Sequence, residues 1–506
     1  MIIFPLFFKR TGCLLIATAI SLFASLKAPQ GKYSRPDYLT EYYISESGRF
    51  KLYFDNTGIN AVPQTYDQNP RVPDFIIMAG HYLEYSYDYL ADTLGFRTPP
   101  IDDDANPEID IYFTNLGDGN YGATTPERLA SNTIGPYAYT GYIEIDNDFV
   151  GSSFYTNGYE ALKVTCAHEL FHIFQIGYNL WEFSSEEIWF YECSSTWVED
   201  QVFPEVNDYI QYVNSYVRNW GKSLDDYIYD NVSWLLEMQH LDHRAIRLMW
   251  ENVLTMRVWK AIDTYVINEM GRNEWPRLMS EWGVSHIFAG KSGHLDKSHF
   301  ADAHLMPELI IPPSHYFDLA DAESEHFELN ISNSYSHQFW LIENLEPVLM
   351  AFSVSGLPES ALQLVFFSGE RSGAFYLNEQ PALLDLRGAM PQVYVTVGVG
   401  ALESPAKLIL QVTKFPDYFI GIFPNPAPAP EKIYIQYNLS EDYAGGTLEI
   451  FNLRGARIFK NSINQAAAQQ GENSLWLPEI HLASGVYFLR LSFPHIVFQE
   501  KFLILK

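Results

Sequence analysis

The sequence predicts an α+β domain followed by two all-β sandwich domains, and three observations along the chain support this fold class. Apolar and polar residues first alternate over 49–55, 108–113 and 139–149, a pattern typical of strands. Helical patterns then dominate from about 184 to 289. Short apolar runs separated by turn residues fill the remainder. Strands followed by helices favour an α+β domain, and consecutive short strands favour sandwiches.

The predicted helices are bounded by residues that commonly begin or end helices. The first covers 72–95, with Gly95 as its end. The second runs from about 158 to 176, where Gly177 provides a C-terminal stop. The third begins at 184–187, because the order Ser-Ser-Glu-Glu has the form of a capping box.

Proline-rich segments mark the boundaries between the predicted domains. Pro307, Pro312 and Pro313 stand where the helical patterns end. Alternating Pro and Ala residues within 423–432 favour an extended linker. The predicted organisation is a leader at 1–28, an α+β domain at 29–305, a β-sandwich at 306–415 and a second β domain at 416–506.

The N-terminus has the layout of a secretory signal peptide. A basic pair at 9–10 precedes the apolar run LLIATAISLFASL, and the small residues Ala24, Ser25 and Ala28 offer cleavage positions. We expect residues 1–28 to be removed on export, with an uncleaved anchor as the alternative. No other stretch of the sequence is long and apolar enough to span a bilayer.

The charge balance argues against one class of partner. The chain has 32 basic and 62 acidic residues, which gives a net charge of −30. Nucleic acids are bound by a basic face, and the sequence shows none, so a nucleic-acid partner is not expected. An excess of acidic residues keeps an exported protein soluble without identifying its substrate.

The segment HELFH places two histidines and a glutamate where a metal ion could be bound. His168 and His172 are four residues apart, so on a helix they lie on one face, one turn apart. Two imidazoles at this spacing can reach one zinc ion, and Glu169 can reach a water on that ion. The motif also arises by chance, and two histidines need a third protein ligand.

Glu192 is the candidate for the third ligand. It follows the second histidine by twenty residues, an interval that a loop and a returning helix can fill. Its neighbours are largely apolar or aromatic, which favours ligation over a solvated side chain. Glu186, Glu187 and Glu199 compete with it, but the first two better suit a helix start, where carboxylates meet the dipole. Thr196 and Glu199 share a helical stripe with Glu192, so both are candidates to orient a ligand by hydrogen bonds.

The segments HELFHIFQIGY and WFYECSSTWVED together resemble those of the gluzincins, the thermolysin-like zinc peptidases, and more closely a family of secreted bacterial metalloproteases. The likeness covers roughly residues 45–290 and implies a zincin-like catalytic domain. By this resemblance His168, His172 and Glu192 bind zinc. Glu169 is then the general base that activates a water for peptide-bond hydrolysis.

Two comparisons with related site patterns sharpen this resemblance. A metzincin-type site is excluded, because Gln175 and Tyr178 stand where a glycine and a histidine would be needed. Thr196 departs from the thermolysin pattern, which has an aspartate four residues after the glutamate ligand. The residue that orients the ligands is therefore open at this point.

Further site residues are less well defined by the sequence. Tyr227, Tyr229 and His286 are candidates to stabilise an oxyanion, each with a structural role as the alternative. The strand at 142–145 could present an edge to an extended substrate. Calcium is a second candidate cation, although the aspartate spacing lacks an EF-hand pattern and favours a solvated loop. The aspartates concerned are Asp102, Asp103, Asp104, Asp146 and Asp148.

Two cysteines, Cys166 and Cys193, stand beside the two motif segments. In an oxidising compartment they could form a disulfide that ties these segments together. The alternative is a pair of small buried residues, since Cys166 points roughly away from the histidine face of its helix.

The last segment resembles a protein-sorting domain. IFPNPAPAPEK, TLEIFNLRGARIF, LASGVYFLRL and EKFLILK follow one another as in the C-terminal sorting domains of the Bacteroidota type IX secretion system. The likeness covers about residues 418–506 and implies that the secretion machinery is a partner. It also implies passage through the periplasm of a Gram-negative bacterium to the medium or the outer surface. An ordinary adhesion sandwich is the alternative.

These observations predict a secreted zinc metallopeptidase, an endopeptidase acting on protein or peptide substrates. The alternative is a non-catalytic surface protein whose β domains bind carbohydrate or protein. The complete set of two histidines and two glutamates favours the enzyme, because a scaffold does not need all four.

Overall fold

The computed structural model of the 506-residue chain describes most residues from Ser25 onward. The described residues are 25–29, 35–101, 107–131, 133–271, 274–290, 294–319, 324–343, 345, 349–355, 361–377, 382–386, 391–415, 418–430, 433–439, 442–469, 471–478, 480–494 and 496–505. The predicted signal peptide at 1–28 lies outside this part of the chain except for residues 25–28.

A six-stranded mixed sheet forms the base of the first domain. Its strands are β1 (Ser25–Leu26), β2 (Glu41–Ile44), β3 (Phe50–Phe54), β4 (Ile109–Thr114), β5 (Gly122–Leu129) and β6 (Tyr139–Asp146). The spatial order is β1-β5-β6-β4-β3-β2. β3, β4 and β6 run parallel, whereas β2 and β5 are antiparallel to their neighbours β3 and β6. β1 pairs parallel with β5 at the edge of the sheet.

Helices fill the rest of this domain. They are α1 (Asp74–Asp88), α2 (Gly158–Tyr178), α3 (Ser185–Val202), α4 (Ile210–Tyr216), α5 (Val232–Leu241), α6 (Ala245–Val253), α7 (Val258–Tyr265) and α8 (Trp275–Phe288). The segments Tyr89–Thr93 and Val266–Met270 continue α1 and α7 as π-helical turns. The first helical segment therefore stops just before Gly95, whose φ of 72° suits a glycine at a helix end.

The predicted helix stop at Gly177 is wrong, because α2 continues through it to Tyr178. A Cβ at Gly177 would lie 2.7 Å from Cδ of Pro100 and 3.2 Å from Cα of Pro99. The glycine is therefore explained by close packing of the helix on this proline pair.

The start of α3 agrees with the prediction in position but not in its capping. Ser184 occupies the N-cap and its side chain makes no capping hydrogen bond. The carboxylate of Glu187 instead accepts a hydrogen bond from the amide of Val258 at 3.2 Å. Glu187 therefore links α3 to the start of α7.

Aromatic and aliphatic side chains hold the helices on the sheet. α2 packs against β5 and β6 and against both α1 and α3. The ring of Trp250 on α6 contacts Phe171 of α2 and stacks on Phe190 of α3. Full burial of a side chain of phenylalanine size contributes roughly 1.5–3 kcal/mol. The two helices that carry the predicted site are thus fixed relative to one another by packing.

A sandwich of two sheets follows the helical region. Its strands are β7 (Tyr316–Asp318), β8 (Ser324–Ile331), β9 (Ser336–Glu343), β10 (Leu349–Ser355), β11 (Leu362–Ser368), β12 (Arg371–Tyr376), β13 (Ala382–Asp385), β14 (Gln392–Val399) and β15 (Ala406–Phe415). The two sheets have the orders β13-β10-β15-β8 and β12-β11-β14-β9-β7. α8 packs on the second sheet through an apolar cluster that includes Ile287, Phe288 and Phe339.

A second pair of sheets ends the chain. Its strands are β16 (Tyr418–Phe423), β17 (Tyr434–Leu439), β18 (Gly446–Asn452), β19 (Arg457–Ile463), β20 (Gly471–Trp476), β21 (Gly485–Ser492) and β22 (Val497–Ile504). The sheet orders are β16-β17-β20 and β19-β18-β21-β22. The extended linker predicted at 423–432 is wrong in part, because Ala427 pairs with β22. Its amide donates to the carbonyl of Leu503 at 2.8 Å, and its carbonyl accepts from Leu505 at 2.9 Å.

Among the residues that the structure describes, none of the helices combines the length and the apolar character needed to cross a bilayer.

Candidate metal centre

The three predicted metal ligands lie together between α2 and α3. The ring centroids of His168 and His172 are 4.9 Å apart, and Glu192 faces them from α3. Oε2 of Glu192 lies 3.4 Å from Nε2 of His168 and 3.3 Å from Nε2 of His172. These ligand atoms all lie within 4.8 Å of one another. Two imidazole nitrogens and a carboxylate oxygen are a donor set that suits zinc with a fourth position open.

Glu199 fixes the ring of His168 through the nitrogen that faces away from Glu192. Its Oε1 lies 2.6 Å from Nδ1 of His168. Burial lowers the pKa of His168, but hydrogen bonds to Glu192 and Glu199 raise it overall. The contact with Glu199 engages Nδ1, so Nε2 is the nitrogen that faces a metal ion.

Gln175 and Ser195 orient the ring of His172. The amide nitrogen of Gln175 donates to the carbonyl of Tyr191 at 2.9 Å and to Oγ of Ser194 at 3.0 Å. Its Oε1 is thereby directed at Nδ1 of His172, 2.7 Å away, and Oγ of Ser195 lies 3.2 Å from the same nitrogen. A protonated Nδ1 leaves the lone pair of Nε2 for a ligand. The sequence did not single out Gln175 for this role, although it lies one helical turn after the histidine.

The side chain of Glu169 is bound by a residue of β5 and is fully buried. Oγ1 of Thr124 donates to its Oε2 at 2.6 Å, and Oε1 has no hydrogen-bond partner among the described residues. Burial raises the pKa of this carboxyl group. The backbone of Gly122 passes so close that a Cβ there would lie 2.8 Å from Cγ of Glu169. One oxygen is thus fixed by the sheet while the other is available for proton transfer.

Glu192 has both carboxylate oxygens engaged. Oε2 faces the histidines, and Oε1 accepts a hydrogen bond from the backbone amide of Leu26 at 2.8 Å. Burial raises the pKa of Glu192, but the charges of the two histidines and their hydrogen bonds lower it to about 2. The carboxylate is therefore ionised at neutral pH, as a metal ligand must be.

Tyr229 is the candidate for oxyanion stabilisation that the structure places at the cluster. Its ring centroid lies 6.3 Å from that of His168, and its hydroxyl interacts with Glu192. Burial raises the pKa of Tyr229 well above its usual value, so the hydroxyl keeps its proton. It can therefore act as a hydrogen-bond donor beside the predicted ligands.

Three other predicted site residues make contacts elsewhere. The hydroxyl of Tyr227 donates to a backbone carbonyl of the loop after α4 at 2.8 Å. Nε2 of His286 lies 2.9 Å from Oγ of Ser233. Thr196 donates to the carbonyl of Glu192, one turn back in its own helix, at 3.0 Å. The structural alternative therefore holds for Tyr227 and His286, and the orienting role predicted for Thr196 is wrong.

The strand predicted to present an edge to substrate is not at an edge. Residues 142–145 belong to β6, which lies between β4 and β5. β5 borders the predicted site instead, and its outer edge is paired with Ser25–Leu26. The edge prediction fails because β5 itself was not recognised in the sequence.

The aspartates considered for calcium stabilise a turn where the structure describes them. The carboxylate of Asp146 accepts hydrogen bonds from the amides of Leu116 at 3.0 Å and Phe149 at 2.7 Å. Asp148 accepts one from Val150 at 2.9 Å. Asp102, Asp103 and Asp104 lie outside the described residues. Calcium binding stays a prediction without support from these contacts.

Cys166 and Cys193 are both buried as free thiols. The structure therefore favours the alternative of two small buried residues over a disulfide. Burial raises the pKa of both thiols, which makes them unreactive.

The C-terminal domain matches a known family. Residues 421–505 match the model of a secretion system C-terminal sorting domain. The chain therefore carries a sorting domain, and the protein is secreted or held on the outer surface of a Gram-negative bacterium that has this secretion system. The secretion machinery is accordingly a partner. No curated protein matches the chain.

Three solved structures with partial similarity are glycoside hydrolases. A β-glucuronidase of Bifidobacterium dentium in complex with coumarin-3-O-glucuronide has 9% identity and a TM-score of 0.18, covering 33% of this chain and 39% of that one. A β-glucuronidase of Parabacteroides merdae has 8% identity and a TM-score of 0.16, covering 33% and 26%. A GH2 β-galacturonidase of Eisenbergiella tayi has 11% identity and a TM-score of 0.15, covering 36% and 35%.

These comparisons correct the predicted enzyme class. The similar structures are glycoside hydrolases and none of the three is a peptidase, so the assignment as a zinc metallopeptidase is contradicted and is set aside. The chain spans well under half the length of these proteins, and TM-scores below 0.2 carry no argument for a glycosidase in its place. The zincin-like class predicted for residues 29–305 stays a prediction.

Proposed function

We propose that the protein is a secreted metal-dependent hydrolase in which His168, His172 and Glu192 bind one zinc ion and Glu169 is the general base. The single observation that carries this proposal is the convergence of three ligand atoms within 4.8 Å of one another in a buried site. Nε2 of His172 supports it further, because this buried nitrogen faces Oε2 of Glu192 at 3.3 Å and has no other hydrogen-bond partner among the described residues.

The surroundings of the ligands support metal binding more strongly than the ligands alone. Buried imidazole N–H groups need hydrogen-bond partners in any fold, so the support lies in which nitrogen of each ring is held. Here Glu199 holds one ring and Gln175 holds the other. Outer contacts of this kind orient ligands and raise metal affinity. With both Nδ1 atoms held, both Nε2 atoms face Oε2 of Glu192.

When bound, zinc supplies Lewis acidity and makes water a nucleophile near neutral pH. Oε1 of Glu169 is available to accept the proton of that water, because Thr124 holds only Oε2. Burial raises the pKa of Glu169, which makes it a stronger base than an exposed carboxylate, and the same oxygen can return the proton to a leaving group. The hydroxyl of Tyr229 can donate a hydrogen bond to negative charge that develops beside the ligands.

The proposal is tested by metal analysis of the protein recovered from the culture medium. We expect about one zinc per chain, as the donor set requires, and loss of this zinc in His168→Ala. The matched control is His326→Ala, a change to an exposed histidine of β8 that should leave the metal content unchanged. Trace zinc in the unmodified protein would contradict the proposal and support the non-catalytic surface protein.

The bond that is hydrolysed is identified with three substrates. The zinc-loaded protein is assayed on an unfolded protein, an aryl ester and an aryl β-glucuronide, each with and without a chelator. Chelator-sensitive hydrolysis of one of them supports the proposed function and gives the substrate class. Hydrolysis that persists in chelator and in Glu169→Gln contradicts a metal-dependent mechanism.

A further inference from the structure

The outer edge of β5 holds a short strand from the start of the described chain. Ser25 pairs with Ala123 and Leu26 with Thr124, in parallel register. The amide of Lys27 continues this pairing by donating to the carbonyl of Thr124 at 2.8 Å. Pro29 lacks an amide proton and cannot extend the ladder. We call residues 25–29 the cover strand.

The cover strand contacts one proposed ligand directly and pairs with the residue that holds the proposed general base. The amide of Leu26 donates to Oε1 of Glu192 at 2.8 Å. Its partner in the register, Thr124, holds the carboxylate of Glu169. Leu26 itself is only 3% exposed. The strand therefore lies beside β5 at the edge of the sheet and against the proposed ligand Glu192.

With the cover strand in place, the proposed catalytic groups are closed to solvent. Glu169 and His172 are 0% exposed, His168 is 1% exposed and Glu192 is 2% exposed. A general base has to come within hydrogen-bond distance of a reacting group, about 3 Å. A substrate cannot reach these side chains unless something moves. The cover strand lies beside them and pairs with β5 through only Ser25 and Leu26.

The attachments of the cover strand are few and partly exposed. The ammonium group of Lys27 pairs with Glu144, but the lysine side chain is 39% exposed, and such pairs contribute little to stability. Further along, the guanidinium of Arg35 binds Glu127 of β5 at 2.6 Å and also pairs with Asp110. Arg35 is therefore an anchor that stays on the sheet when the cover strand leaves β5.

We propose that the cover strand blocks the metal centre until it is displaced or removed, so that the chain as synthesised is inactive. The proposal rests on the proposed function only for the identity of the blocked site as a metal centre. The predicted leader gives a means of removal, because cleavage after Ala28 would take away Leu26 and Lys27. Removal of the leader during export would then also expose the metal centre.

The test uses the full chain with its leader retained. Leu26→Pro removes the amide that binds Glu192, and Lys27→Glu places like charges opposite each other at Glu144 without removing an amide. The control is Ala28→Pro, a change at an exposed residue whose amide makes none of the contacts above. Hydrogen exchange of the backbone amides within residues 122–126 shows whether the cover strand is paired with β5. This measurement does not depend on bound metal. The rate at which a chelator removes zinc reports access to the centre.

We expect faster exchange at β5 in Leu26→Pro and Lys27→Glu but not in Ala28→Pro. Zinc removal should accelerate about tenfold in Leu26→Pro, because a hydrogen bond to a charged ligand is lost. A synthetic peptide ASLKAP, corresponding to residues 24–29, should slow removal again. Unchanged exchange at β5 in both variants overturns the cover strand, whereas absence of zinc with faster exchange overturns only the proposed function.

Discussion

Oε1 of Glu199 lies 2.6 Å from Nδ1 of His168, and both side chains are buried. The contact joins α3 to α2 at the Nδ1 side of the proposed ligand His168. It places a carboxylate behind the imidazole, where it fixes the ring and increases its basicity. Seven residues before Glu199 on the same helix, Glu192 faces the other nitrogen of that ring. One helix therefore contacts both nitrogens of one histidine.

Glu199→Gln should lower zinc affinity roughly 10–100-fold without removing a ligand, the usual effect of losing such an outer carboxylate. The amide cannot stabilise the positive charge that zinc places on the imidazole. Competition with a chromophoric chelator measures the affinity. Glu187→Gln on the same helix is the control, because Glu187 binds the amide of Val258 and does not contact a histidine. Equal affinities in the two variants would remove the orienting role of Glu199.

Glu169→Gln should keep zinc at the wild-type level but reduce hydrolysis by on the order of 10²–10⁴-fold, the contribution of a general base. The substitution retains the size of the side chain and leaves the three proposed ligands in place. Zinc content and turnover are measured on the same sample. Glu160→Gln, at an exposed position in the first turn of α2, should change neither quantity. Full turnover in Glu169→Gln would require another base.

Gly122→Ala should impair the base while leaving the metal ligands intact. The new methyl group would lie 2.8 Å from Cγ of Glu169 and 2.9 Å from Cγ2 of Thr165, so Glu169 has to shift. We expect reduced turnover, nearly unchanged zinc content and a loss of about 1–3 kcal/mol in the free energy of unfolding. Gly485→Ala is the control, since its nearest neighbouring atom would be 3.8 Å away. Unaltered turnover in Gly122→Ala would show that this close approach does not position Glu169.

The sequence brings out the proposed ligands because their signal is local. His168 and His172 follow from helical spacing, and Glu192 follows from the interval that a helical hairpin allows. β5 gives no such signal, since GATTPERL lacks alternation and contains a proline. Its polar residues are nevertheless buried, because Thr124 binds Glu169 and Glu127 binds Arg35. Such a strand is recognisable only after its distant partners are known.

The pairing of residues 25–29 also could not be predicted from the sequence, for a different reason. Residues 25–28 lie in the predicted leader, where Ser25 and Ala28 offer cleavage positions, and Pro29 is the first residue of the predicted α+β domain. The pairing of Leu26 with Thr124 and its bond to Glu192 connect positions about 100 and 166 residues apart. Local patterns carry no information on contacts of this length. The fold therefore adds to the predicted site a strand that contacts Glu192.

The stability of the protein should fall below about pH 6.5 through a buried histidine far from the metal centre. His337 of β9 lies where the helical region meets the first sandwich, with Nδ1 3.1 Å from the carbonyl of Met279 and Nε2 against the hydroxyl of Tyr216. Burial lowers the pKa of His337 from 6.5 to about 3. Between these values the unfolded chain binds a proton that the folded chain does not, so acid favours unfolding by up to about 1.4 kcal/mol per pH unit.

His337→Gln isolates this effect, because glutamine can keep a hydrogen bond but does not titrate. Between pH 6.5 and 5 the unmodified protein should lose about 2 kcal/mol more unfolding free energy than the variant. Asp200, whose pKa burial raises to about 7, acts in the opposite direction by taking up a proton in the folded state. Asp200 is present in both proteins, so its effect cancels when their unfolding free energies are subtracted. Denaturant unfolding followed by fluorescence is suitable, since the ring of Trp282 lies 4.2 Å from that of His337. Parallel pH curves for the two proteins would show that His337 is charged in the folded state or does not titrate in this range.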